Sequence, residues 1–136
     1  MTFIFDASAL IAYLNKESGS NVINDLLKKA VDGDVQIHMN IINLIEVHYA
    51  NIRNLGKEQA SVILEKILAS PIKVVPVISD RIFHEASFLK STYKMSLGDC
   101  IGLATAIELS GQFVTSDHHE IESIAKDNPS LIFWLR

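Results

Sequence analysis

Cysteine is nearly absent: Cys100 stands alone in 136 residues. That excludes an internal disulfide and a multi-cysteine zinc site, and it fits a reducing, cytoplasmic setting. Proline and glycine are sparse, at three and six residues. With no repeat, low-complexity tract or Pro/Gly-rich linker to mark a boundary, residues 1–136 read as a single domain. No apolar run reaches the roughly 18 residues that would indicate a membrane span, so no membrane partner is expected. Met1-Thr2-Phe3-Ile4-Phe5 runs straight into Asp6 without a basic stretch, unlike a signal peptide. Basic residues are also in deficit, 12 Lys+Arg against 16 Asp+Glu, for a net charge of −4. A generic nucleic-acid coat would be basic. No G-x-x-x-x-G-K-[ST] occurs, so a nucleotide-triphosphate enzyme is not indicated.

What is present is an ordinary globular mixture, 49% hydrophobic and 21% charged. Strand-like segments are expected at Thr2–Phe5, Val35–Met39, Lys73–Val77, Gln112–Thr115 and Leu131–Leu135. Helical spacing marks Ser8–Leu14, Ser20–Val31, Ile41 to about Asn54, Lys57–Ala69, a helix capped by Ser79 running to Thr92, a very apolar one capped by Ser96 running to Ser110, and His118–Lys126. In the third of these, Ile41, Ile45, Tyr49 and Ile52 form the apolar stripe. Alternating strands with helices or helix pairs implies α/β: a three-layer α/β/α fold with a mostly parallel sheet of four to five strands. In such sheets ligands sit at the carboxyl ends of the strands; Asp6 follows the first strand directly and Asp117 follows the fourth after Thr115 and Ser116.

Each acid has a plain explanation. Asp6 suits a helix N-cap. Ser96-Leu97-Gly98-Asp99 matches a capping box in which the acid bonds back to the cap residue, and Asp117 with Glu120 could do the same. Glu46 falls at the border of an apolar stripe, where pairing with Arg53 or with water is expected. The set is less ordinary than its members. Converging carboxylates cannot all stay ionised without a cation, and oxygen-only ligands select a hard ion such as Mg²⁺ or Mn²⁺. Setting aside Asp6, Glu46, Asp99 and Asp117 leaves 12 acids against 12 bases, so the net negative charge opposes nucleic acid only if no metal binds.

Four segments carry a resemblance: F-I-F-D-A-S-A-L-I-A-Y-L at Phe3–Leu14, M-N-I-I-N-L-I-E-V at Met39–Val47, K-M-S-L-G-D-C-I-G-L-A-T-A at Lys94–Ala106 and F-V-T-S-D-H-H-E-I at Phe113–Ile121. In this order and spacing the chain resembles the PIN-domain family, and within it the VapC-type toxins of toxin–antitoxin pairs. The resemblance implies a PIN-like fold and a Mg²⁺- or Mn²⁺-dependent endoribonuclease acting on RNA. It implies Asp6, Glu46, Asp99 and Asp117 as the catalytic and metal-holding acids, with Ser8, Thr115 and Ser116 as supporting polar groups. It further implies a homodimer and a cognate antitoxin bound near the acidic groove. Asn40 departs from the Ser or Thr common at the start of the glutamate helix, which touches capping.

The chemistry follows from charge. Phosphodiester hydrolysis builds negative charge on the phosphorus oxygens and the leaving oxygen; a divalent ion stabilises it and activates water. Asp6, Asp99 and Asp117 would hold the ion, while Glu46 would hold water or accept its proton. Arg53, Lys94 and His118 are candidate RNA contacts at the rim. Adjacent histidines on a helix point to different faces, so His118-His119 does not indicate zinc. Cys100 reads as core. Two rivals remain. An aspartyl-phosphate phosphatase also carries an aspartate after the first strand, but in a D-x-D motif that Asp6-Ala7-Ser8 lacks. A catalytically silent binding module would be missing an acid, and none is missing.

Overall fold

A computed structural model describes residues 1–136. Five strands, β1 (Thr2–Phe5), β2 (Gln36–Asn40), β3 (Ile72–Val75), β4 (Gln112–Thr115) and β5 (Ile132–Trp134), form one sheet in the order β3-β2-β1-β4-β5. Every pairing is parallel, rather than mostly so. The crossovers are helical: α1 (Ala7–Leu14) and α2 (Ser20–Val31), α3 (Ile41–Leu55) and α4 (Lys57–Ala69), α5 (Asp80–Thr92) and α6 (Leu97–Glu108), then α7 (His118–Asp127).

The strands alternate their side chains between two cores. Phe3 and Phe5 of β1 enter one core with Leu10, Ile23, Leu44, Val47 and Ile67 from α1–α4. Ile4, between them, enters the other with Ile82, Leu89, Leu103 and Ile121 from α5–α7. Helices therefore cover both faces, which is what a parallel sheet of such apolar strands requires. α6 is buried at every position from Asp99 to Ala106. A helix apolar all round has to lie inside, as its sequence indicates.

Several boundaries move for physical reasons. β3 stops at Val75 because Pro76 has no N–H to donate to the ladder, and Val77 is left exposed. Pro129–Leu131 forms a short 3-10 turn, so β5 starts at Ile132. α6 closes at Glu108, just before Ser110 takes a left-handed φ of 53°. The larger correction is α3. Its buried face is Asn43, Leu44 and Val47, while Ile45 and Tyr49 of the expected stripe are about half exposed, at 52% and 47%. A buried asparagine within the true core face disguises it.

The sheet's topology fixes the crevice. The chain winds one way from β1 through β2 to β3, then returns to the opposite side of β1 for β4 and β5. The β1/β4 junction is the switch point, where a crevice opens beyond the strands' carboxyl ends. Asp6 and Asp117 leave the sheet there.

Candidate metal centre

Asp6 occupies the N-cap position of α1, yet its carboxylate makes no capping bond. Instead Oδ2 accepts from Thr115 Oγ1 at 2.7 Å and from Ser8 Oγ at 2.8 Å. Thr115 Oγ1 also accepts from the Asp117 N–H at 3.1 Å, and the Ser116 N–H points at Ser8 Oγ at 3.4 Å. The expected supporting residues thus join the ends of β1 and β4 through hydroxyls. Asp6 is 3% exposed. Burial pushes its carboxyl up and the Asp117 charge adds to this, while the Thr115 and Ser8 bonds oppose it.

α6 delivers Asp99. Ser96 Oγ accepts from the Asp99 N–H at 3.2 Å, so half of the expected capping box forms. The return bond from the Ser96 N–H does not, and the carboxylate turns to the crevice. There one oxygen each from Asp99, Asp117 and Glu120 lies within 4.8 Å of the others. Burial, then the Asp6 charge, pushes Asp99 up to about 8, with Asp117 and Glu120 adding to the shift and Ser96 opposing it. Asp117 does cap α7, accepting from the Glu120 N–H at 3.1 Å. Glu120, expected only as a capping partner, is therefore a member of the cluster. A carboxylate in the first turn of a helix whose N-terminus faces the crevice is the signal that would have found it.

Glu46 sits apart from that trio. It does not pair with Arg53, whose guanidinium lies over the Tyr49 ring, 5.3 Å from its centroid. Its Oε1 accepts from Asn43 Nδ2 at 3.0 Å, and the same amide donates to the Gly98 carbonyl at 3.1 Å. Asn43 is fully buried with its Oδ1 unpartnered, and sequence reasoning missed it. The amide holds the α3 acid against the first turn of α6. Contact is so close that a Cβ on Gly98 would fall 2.6 Å from Glu46 Oε1. Burial pushes Glu46 up, Asn43 opposes, and the Asp6 charge raises it further. Asn40 caps α3 through Ile42 N at 2.9 Å and reaches Thr105 Oγ1 at 3.1 Å, so the Ser/Thr departure preserves the cap.

Among the rim candidates, Arg53 and Lys94 are exposed. Lys94 lines an open pocket with Ser96, His119 and Glu120. His118 is absent from that pocket: its ring stacks on Trp134 and its Nε2 bonds the Arg136 carbonyl at 2.7 Å. His119, not His118, is the histidine beside the acids. Cys100 is fully buried, and burial pushes its thiol up.

The donor set fits a hard divalent cation. It is all oxygen, it crowds like charges whose repulsion adds to burial in raising Asp99, and three helices, α1, α6 and α7, start at it with their positive N-terminal ends. Asp99, Asp117 and Glu120 could hold the ion, with Asp6 behind them. Fold and site together define a doubly wound α/β protein with an acidic crevice at its switch point.

The family profile of the PIN domain matches residues 3–127. The chain belongs to the PIN domain family. Among solved structures it is similar to VapBC2 from Rickettsia felis bound to a promoter DNA fragment, with a TM-score of 0.78 at 18% identity over 98% of both chains. It is also similar to DNA-bound VapBC from Salmonella typhimurium, with a TM-score of 0.74 at 17% identity over 100% of this chain and 99% of that one. VapBC-5 from Mycobacterium tuberculosis aligns with a TM-score of 0.60 at 15% identity, covering 99% and 98%. No curated protein matches the sequence. No helix is long and apolar enough to cross a membrane.

Proposed function

We propose that this PIN-domain protein is a Mg²⁺- or Mn²⁺-dependent endoribonuclease and the toxin of a toxin–antitoxin pair. The observation that carries the reading is the meeting of Asp99, Asp117 and Glu120 within 4.8 Å, beside a buried Asp6 that raises Asp99. Family membership and folds shared with VapBC assemblies support it.

Asp99, Asp117 and Glu120 hold the cation, with Asp6 fixed behind them by Ser8 and Thr115. When bound, the cation supplies Lewis-acid stabilisation of the charge that grows on the phosphate oxygens. Glu46 takes the proton from the attacking water. Its Oε1 is engaged by Asn43, which leaves Oε2 for that proton, and burial makes the carboxylate a stronger base than a free glutamate. Water oxygen bonds to phosphorus, the bond to the 3′ oxygen breaks, that oxygen takes a proton from solvent, and a 5′-phosphate and a 3′-hydroxyl result. Lys94 and His119 line the rim where RNA phosphates approach.

An antitoxin segment binds near the acidic groove, and a separate apolar groove lined by Leu10 and Leu14 of α1, Leu27 of α2, Leu55 of α3 and Ile63 of α4 offers it further apolar surface. Exposed Ile78, Phe83 and Leu97 give a second apolar face for a homodimer. Sedimentation at micromolar concentration checks the dimer, and a monomer there counts against it.

The deciding experiment is RNA cleavage with Mn²⁺ and with EDTA. Asp99→Asn should slow the Mn²⁺ reaction by about 100-fold or more, by weakening the metal site. Cleavage that persists in excess EDTA sinks the reading. Hydrolysis of a small phosphomonoester in place of RNA would favour the aspartyl-phosphate rival, and Mn²⁺ binding without cleavage the silent binding module. For the toxin role, expression should arrest bacterial growth for wild type and not for Asp99→Asn.

A further inference from the structure

The last residues of the chain are tied to three places at once. Trp134 stacks on His118 with ring centroids 3.9 Å apart and planes 8° from parallel. The Leu135 N–H donates to the Thr115 carbonyl at 2.9 Å, and its buried side chain seats on Gly19. There φ is +94° and a Cβ would come 2.6 Å from Leu135 Cγ, so only glycine fits. Arg136 accepts from His118 Nε2 through its carbonyl. Its guanidinium donates to the Ser18 carbonyl at 2.9 Å and to Glu17 Oε1 at 3.1 Å.

His118 is the first residue of α7 and follows Asp117 directly. Two of the three clustered carboxylates, Asp117 and Glu120, belong to that first turn. Mutual repulsion pushes the turn away from Asp99, and Ile121 and Ile124, the buried residues of α7, lie beyond it. The Asp117 N–H bond to Thr115 Oγ1 holds the start of the turn from β4, and the segment from Trp134 to Arg136 holds His118 from the α1–α2 loop.

We propose that Trp134–Arg136 is a strap that positions the acids of α7 for the cation, with His118 and Trp134 as its positioning residues. This rests on the metal-centre reading above. His118 is then no RNA contact: its ring face and Nε2 are both committed to the strap.

The test is calorimetric titration of MnCl₂ into wild type, His118→Ala, Trp134→Leu and Trp134→Phe. Removing a group that orients metal ligands costs about 10–100-fold in metal affinity, so the first two variants should bind Mn²⁺ at least about tenfold more weakly, whereas Trp134→Phe, which keeps a ring to stack, should stay within about twofold. Trp134 is the sole tryptophan, so its emission should shift in His118→Ala as the stack is lost. His118 is exposed, so that variant should fold even if Trp134→Leu does not. Unchanged Mn²⁺ affinity in folded His118→Ala overturns the proposal, as does a higher KM for RNA with Mn²⁺ binding intact. Wild type that binds Mn²⁺ but cleaves no RNA sinks the nuclease reading alone; wild type that binds no Mn²⁺ overturns both.

Discussion

Asp99 concentrates the electrostatics of the crevice in one residue. Its carboxyl is pushed from 3.8 up to about 8 by burial and by Asp6. A group whose folded-state pKa is raised stabilises the fold when protonated. That contribution is fully present below about 3.8 and is lost as pH rises through about 8. Metal-free protein should therefore lose stability from pH 4 to pH 8, and Asp99→Asn should flatten that slope and melt higher than wild type in EDTA at pH 8. Thermal melts across this range check it; an unaltered slope would show that Asp99 carries no shifted proton. The bond that caps α6 uses the Asp99 backbone N–H, so the variant keeps it and gives up only the help that the Ser96 hydroxyl gives the ionised carboxylate. Asp117 is the less clean site, since its side chain does cap α7. On sequence grounds the capping box at Ser96 makes Asp99 look like the compromised position, and the structure reverses the two. Such boxes can be recognised from residue types, but which half of one forms depends on what the carboxylate faces.

At the scale of elements, the motifs lay on readable ground. Asp6 and Asp117 follow strands whose β character is plain, and α6 announces its burial by its composition. The α3–α6 contact was not readable, because it depends on Asn43, a polar residue on a core face that no periodicity argument selects. Glu46 reaches α6 only because Gly98 has no side chain. Gly98→Ala should therefore separate two properties. In a helix alanine is favoured over glycine by about 0.5–1 kcal/mol, so the melting temperature should hold or rise slightly. The new methyl takes the place of the Glu46 carboxylate, and Mn²⁺-dependent cleavage should fall by about tenfold or more with the base displaced. Melting curves beside cleavage rates check both. A variant that loses stability and activity together would mean that Glu46 is clamped too firmly by Asn43 to yield, and that the strain falls on the helix.

The whole molecule carries a formal charge of −4, and its crevice gathers a large share of it without a basic residue paired to any of the acids. The single ion pair joins Arg136 to Glu17, away from them. A cation that binds only the folded state stabilises it by RT ln(1 + [L]/Kd), about 2.7 kcal/mol at 100 times Kd. For a chain of this size that is a rise of roughly 10 °C in melting temperature. The geometry divides the acids by how they should answer Mn²⁺. Asp99, Asp117 and Glu120 share the 4.8 Å cluster, so Asp99→Asn, Asp117→Asn and Glu120→Gln should each lose most of the rise along with cleavage. Glu46 lies outside the cluster and is held by Asn43, so Glu46→Gln should keep the rise and lose cleavage. Residue order alone does not draw this line: it sets Glu46 beside the other acids and leaves Glu120 out. Melting curves of the amide variants, with EDTA and with Mn²⁺, decide it. If Glu120→Gln keeps the full Mn²⁺ response while Glu46→Gln abolishes it, the ion sits between α3 and α6 rather than at the N-terminus of α7, and Glu46 is a ligand instead of the base.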